Sequence, residues 1–213
     1  MLGLDPATLI ARVVTLLIAF TIHELAHAVV ADRLGDPTSR NMGRFSLNPL
    51  VHLDPMGSIM LILTGFGWAK PVMVNPYNLR GNPRTSMAIV AAAGPISNLI
   101  MALLAAIPYQ LGLLTPEFFS TGTVPSPSFI LTQFIWINLI LAFFNLIPVP
   151  PLDGYKILIA ILPSEMAYQL RPLERYGFII LIALLFFLPR AGIDVLGALV
   201  MAPASQVMSL LVT

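Results

Sequence analysis

Long apolar runs separated by polar stretches rich in proline and glycine set the pattern of this chain. Ala7–Ala31 is a mostly apolar run of about 25 residues, long enough at 1.5 Å per residue to cross a hydrocarbon core of roughly 30 Å. Asp32–Pro55 is polar, is broken by Gly35, Pro37, Gly43 and Pro49, and reads as a water-facing loop. Met56–Phe66 is apolar but too short to span, which predicts a re-entrant half-helix. Between Gly67 and Pro83 the alternating piece Val72, Met73, Val74 predicts an extended segment or small hairpin at the membrane edge. Arg84–Leu114, interrupted by Gly94-Pro95, and Phe129–Ile147 are further long runs, separated by the Pro/Ser/Thr/Gly loop Thr115–Ser128. After the proline-broken Pro148–Pro151, apolar runs recur at Tyr155–Leu162, Tyr176–Leu188 and Ile193–Leu211. The expected fold is an all-α polytopic membrane protein forming a single domain over residues 1–213, with about six membrane segments including the re-entrant half-helix and a three-helix catalytic core of Ala7–Ala31, Arg84–Leu114 and Phe129–Ile147, and a small β element at the interface.

Composition agrees: 57% of residues are hydrophobic and 10% charged, whereas soluble domains carry about a quarter charged residues. A net charge of +1 without any long Lys/Arg cluster excludes a nucleic-acid partner and leaves the lipid bilayer as the medium. With no cysteine, a metal can be held only by His, Asp or Glu. Met1–Asp5 lacks the basic region of a signal peptide, so the first run is expected as a retained span. Six of the eleven Lys/Arg residues lie between Arg33 and Arg84, and the positive-inside rule therefore places that region in the cytoplasm. Arg190 is the exception that leaves the topology of the last segment open.

Near the cytoplasmic end of the first span stands His23-Glu24-Leu25-Ala26-His27. Two histidines four apart share one helical face with a glutamate beside them, which supplies two metal ligands and a general base. In zinc proteases of this pattern the metal lowers the pKa of a bound water and the glutamate takes its proton. A pair of hydrogen-bonded core histidines is the bland alternative, but ionisable residues at membrane depth are costly and mark function. Counted back from Asp32, His27 lies about 7 Å and His23 about 13 Å along the helix, so the metal sits below the surface and needs a polar cavity. A catalytic zinc takes a third protein ligand. Asp153, in Asn145-Leu146-Ile147-Pro148-Val149-Pro150-Pro151-Leu152-Asp153-Gly154, is a candidate, although an Asp before Gly is ordinarily a turn or helix cap.

The paired motifs, HExxH in an early apolar span and Asn-x-x-Pro-x-x-x-x-Asp-Gly in a late one, resemble the site-2 protease family of intramembrane zinc metalloproteases, in a small form without a PDZ domain. Gly94-Pro95-Ile96-Ser97-Asn98, Asn48-Pro49 to Pro55 and Gly67-Trp68-Ala69-Lys70-Pro71-Val72 are similar to further pieces of that family, so the likeness covers most of the chain. It implies Zn2+ held by His23, His27 and Asp153, with Glu24 as base. It also implies a role for Asn145 and Asn98 in holding the substrate strand or steadying the oxyanion. The expected activity is hydrolysis of peptide bonds in or near transmembrane segments of membrane-protein substrates, at a site opening to the cytoplasmic side of a prokaryotic plasma membrane. Tyr155 departs from the small residue that often follows the family's Asp-Gly.

His52 reads as a loop cap, with an extra ligand or regulatory cover for the metal as the sharper alternative. Val72 and Val74 offer an edge for an unwound substrate strand, against a loop that rests at the interface on Trp68 and Tyr77. Two other functions compete: a membrane metal-ion transporter and a non-catalytic binder of membrane proteins. The clustering of polar residues in one place, without a relay across the bilayer, argues against the first. The intact Glu24 argues against the second.

Overall fold

The computed structural model describes residues 5–64, 67–120 and 122–212. Helix α1 (Pro6–Arg33) starts where Asp5 accepts the Thr8 N–H at 3.0 Å and Pro6 supplies the fixed φ of a first turn. Gly35, at a φ of +108°, turns the chain away at its other end. The half-helix α2 (Pro55–Thr64) follows the loop; the expected extension to Phe66 lies outside the described residues. Helix α3 (Pro83–Gln110) is capped by Asn82 and continues through Gly94-Pro95, which the sequence marked as an interruption. Helix α4 (Pro127–Asn145) is capped by Ser126, and it ends where Pro148, Pro150 and Pro151 withdraw backbone donors. Then come α5 (Asp153–Ile161), α6 (Ser164–Arg190) and α7 (Gly197–Leu211).

The described residues include four helices long and apolar enough to cross a membrane: α1, α3, α4 and α6. The expected run Tyr155–Leu162 is the short α5, 9 residues long, and Ile193–Leu211 shortens to α7, so the all-α membrane architecture holds among the described residues while an exact count of six segments is not shown. The interfaces of α1 and α3 are built from small side chains, with Ala19, Ala28, Ala91 and Ala102 buried, which lets backbones approach closely where no hydrophobic force separates protein from lipid. A second packing centre joins Ala106 and Tyr109 of α3 to Ile135 and Leu139 of α4 and Met208 of α7. There the Tyr109 hydroxyl hydrogen-bonds to Thr132 Oγ1 at 2.9 Å and donates to the Ser128 carbonyl at 2.8 Å, so its polar tip is satisfied.

The segment 67–80 runs as a strap beside α1, irregular except for a 3-10 turn at Pro76–Asn78. Of the expected β element only an isolated antiparallel bridge between Leu53 and Ala69 forms among the described residues. Pro71 and Pro76 lack donors, and most of the strap's partners are side chains rather than a second strand. Ser39 donates to the Met73 carbonyl at 2.7 Å, Asn75 N–H donates to Asp36 at 2.7 Å, and Arg80 N–H reaches the Leu34 carbonyl at 2.7 Å. Asp36 is fully buried. Burial pushes its carboxyl pKa up, but hydrogen bonds from Thr38, Asn78 and Asn75 outweigh that and hold it below its ordinary value.

Candidate metal centre

The helical period places His23 and His27 one turn apart on the face of α1 that meets α3. His23 Nδ1 lies 2.6 Å from Asn98 Oδ1, and His27 Nδ1 lies 2.8 Å from the Val90 carbonyl oxygen. Both partners are acceptors, so each Nδ1 carries the ring hydrogen and each Nε2 presents a lone pair, as a metal-ligating histidine must. The broken stretch after α4 returns the chain to this face, and Asp153 opens α5 there. Gly154 makes the return tight: a Cβ on it would lie 2.2 Å from the Leu146 carbonyl oxygen.

Asp153 Oδ2 lies 3.2 Å from His23 Nε2 and 3.2 Å from His27 Nε2, and the two nitrogens are 3.1 Å apart. The Lys156 ammonium lies 3.5 Å from Oδ1, beside the Asp153 carboxylate. Two ring lone pairs and an anionic oxygen converging this closely repel one another unless something positive lies between them. Tetrahedral zinc with bonds of about 2.0–2.2 Å separates its donors by roughly 3.3 Å, so this donor set fits the ion in chemistry and in spacing. Among the described residues it is the group of His, Asp and Glu side chains whose ligand atoms cluster as a metal site would require.

Gly94 completes the cradle. A Cβ there would lie 2.5 Å from both His23 Nε2 and His27 Nε2, so any side chain would intrude on the space that a cation needs. Sequence reasoning read Gly94 as a breaker; the available signal was a glycine inside a helix, which costs about 1 kcal/mol relative to alanine and therefore calls for a reason. Val90 and Asn138 were likewise given no role in the site, because they reach it through helix packing, whereas Lys156 meets Asp153 three residues away within α5.

His23, Glu24, His27 and Asp153 line a cavity of about 440 Å3. Glu24 Oε2 accepts the Val72 N–H at 2.9 Å, so the strap fixes one carboxylate oxygen beside the candidate ligands. Val72, Val74 and Asn145 line the same cavity, and Asn145 donates one amide hydrogen to the Leu141 carbonyl at 3.0 Å. Two expected residues sit elsewhere. Asn98, expected to hold substrate, is fully buried behind His23, with its oxygen on that ring and its nitrogen on Asn138, so neither end is free for a substrate. His52 is fully buried in the loop with Nε2 2.8 Å from the Ser46 carbonyl oxygen, and it is not part of the ligand cluster.

The sequence model of "Peptidase family M50" matches residues 11–188. A protein of Bacillus subtilis (strain 168) named "Putative zinc metalloprotease YwhC" is 41% identical over 206 residues, which cover 93% of this chain and 89% of that protein. A relative in Mycolicibacterium smegmatis named "Putative zinc metalloprotease Rip2" is 30% identical over 175 residues, or 79% of this chain and 64% of that longer protein. Its namesake in Mycobacterium tuberculosis (strain ATCC 25618 / H37Rv) is 29% identical over 175 residues, covering 63% of its own length. No solved structure matches.

Proposed function

The chain belongs to peptidase family M50, and from that premise we propose that it is a single-domain intramembrane zinc endopeptidase that hydrolyses peptide bonds in or near transmembrane segments of membrane-protein substrates. The observation that carries this reading is the convergence of His23, His27 and Asp153 ligand atoms on one point beside Glu24 in a shared cavity.

His23, His27 and Asp153 hold the zinc ion, which when bound polarises the scissile carbonyl and acidifies a water. Glu24 is the general base: Val72 holds Oε2, which leaves Oε1 to take the proton of the attacking water. Asn145 keeps one amide N–H on Leu141 and turns the other to the developing oxyanion, a donor that brings no full charge into lipid. Val72 and Val74 offer backbone outside any helix to a substrate strand, because a helix must unwind before its carbonyls can be attacked. A second cavity of about 430 Å3 shares Phe20, Gly67, Leu141 and Phe144 with the first, giving a largely apolar approach between α1 and α4. The basic residues between Arg33 and Arg84 orient the site toward the cytoplasmic side of a prokaryotic plasma membrane.

The test compares purified wild type with Glu24→Gln for zinc content and for cleavage of an unstructured membrane-tethered substrate. Equal zinc with cleavage lost in the variant is the expected result. Cleavage retained by Glu24→Gln, or a wild type that binds no zinc, refutes the assignment.

A further inference from the structure

Asn138 is fully buried within α4, does not line the cavity, and has no part in the chemistry proposed above. Its amide nitrogen donates to the Phe134 carbonyl at 2.9 Å, one turn back in the same helix. A carbonyl has no hydrogen to give, so this contact decides which end of the Asn138 amide points where. Oδ1 must face Asn98, and the Asn98 nitrogen donates to it at 2.7 Å. That bond in turn leaves Asn98 Oδ1 facing His23 Nδ1 at 2.6 Å. An amide oxygen only accepts, so the ring hydrogen is on Nδ1 and the lone pair is on Nε2, the atom 3.2 Å from Asp153. Without this chain the Asn98 amide could turn over with almost no change of shape and present its NH2 to the ring. The hydrogen would then move to Nε2, where the ligand lone pair is needed.

We propose that Asn138 is a positioning residue: a neutral relay that starts at the Phe134 carbonyl and, through Asn98, holds His23 in the metal-ligating tautomer. The inference rests on the reading of His23 as a ligand. His27 needs no relay, because its Nδ1 faces the Val90 carbonyl directly, and a backbone carbonyl cannot turn over. The two ligands thus reach the same tautomer by different devices, one helix deep for His27 and two for His23. The relay is also free of charge, as its depth in the span favours. A simpler role for the Asn98–Asn138 contact is adhesion between α3 and α4. Adhesion alone predicts a loss of stability on substitution and no effect that separates His23 from His27.

The test uses full-length protein labelled with 15N histidine, zinc-free and at a pH raised until the ring shifts themselves show both imidazoles neutral, since the Asp153 carboxylate 3.2 Å from each Nε2 favours the charged ring. Single His→Gln variants assign the three histidines. The wild type is expected to show His23 and His27 each in one form, protonated on Nδ1. Asn138→Leu mixes the tautomers of His23, leaves His27 unchanged, and weakens zinc binding by roughly 10- to 100-fold. A wild-type His23 protonated on Nε2 overturns the relay, as does an Asn138→Leu protein with unchanged tautomer and affinity, or one in which His27 shifts as much as His23. If Asn138→Leu fails to fold, Asn138→Ala takes its place, and the wild-type measurement decides independently of either. A wild type with the expected tautomers and no zinc affinity sinks the protease reading while leaving the relay standing.

Discussion

Replacing Gly94 with alanine sets helix propensity against the metal site. Inside a helix the change is ordinarily stabilising, by roughly 0.5–1 kcal/mol. Here the added methyl would lie 2.5 Å from His23 Nε2 and His27 Nε2, whereas ordinary contact begins at 3.4 Å, so the rings must retreat by about 1 Å. Metal–ligand distances tolerate about 0.2 Å. The required movement exceeds that several-fold, and it acts on two ligands at once. The loss therefore exceeds the roughly 10- to 100-fold that follows from disturbing a hydrogen-bond partner of a ligand; we expect zinc affinity to fall by more than about 100-fold, or about 2.8 kcal/mol at 1.4 kcal/mol per decade. Chelator-competition titration of the two proteins measures this, with helical circular dichroism confirming that the variant is folded. A Gly94→Ala protein that binds one zinc ion within threefold of the wild-type affinity would show that the cation does not lie between these nitrogens.

Two other expectations concern the strap. Val72→Pro removes the N–H that holds Glu24 Oε2, a hydrogen bond to a charged group. Such bonds contribute about 1.5–3 kcal/mol, so kcat should fall on the order of tenfold to a hundredfold while zinc stoichiometry stays unchanged; equal loss of zinc would mean that the strap supports the ligands themselves. The Asp36 clasp is sensitive to acid. Its folded-state pKa lies below the ordinary 3.8, so its contribution to stability is complete above that value and is lost as the pH falls through the folded value. Amide exchange at residues 73–78 should accelerate below about pH 4 in the wild type, and Asp36→Asn should show fast exchange at all pH values; an identical pH profile in the two proteins would remove Asp36 as the cause.

How much of this was legible depended on whether the information was local. The histidine pair and Glu24 follow from spacing alone, since four residues make about one helical turn. Asp153 did not follow from spacing: an Asp before Gly is an ordinary turn, and only its likeness to a family motif made it a ligand. The structure adds the reason for the glycine, whose Cβ would strike the Leu146 carbonyl. Asn98 was legible only through its likeness to a family motif, and because His23 is 75 residues away in sequence its place behind that ring was not legible. The alternation at Val72 to Val74 marked a stretch of backbone outside any helix. It over-predicted a sheet, because period-two patterning cannot reveal that the groups meeting that backbone are Glu24, Ser39 and Asp36 rather than another strand.

The charges of the site follow from its medium. His23, His27 and Asp153 with a dication would carry one net positive charge, and Glu24 beside them cancels it. The partners that orient His23, His27 and Glu24 from behind are neutral: the Asn98 amide, the Val90 carbonyl and the Val72 N–H; Asp153 alone has a charged neighbour, the Lys156 ammonium at 3.5 Å. In a water-soluble enzyme a carboxylate often orients a metal-bound imidazole. At this depth each further anion would need its own counter-charge, at a cost of a few kcal/mol for every unpaired one. Amides and backbone groups give direction without charge, but an amide can turn over and a carboxylate cannot. A membrane site that substitutes one for the other must fix the amide's orientation, and a backbone carbonyl one helix further away is the acceptor that cannot itself be turned.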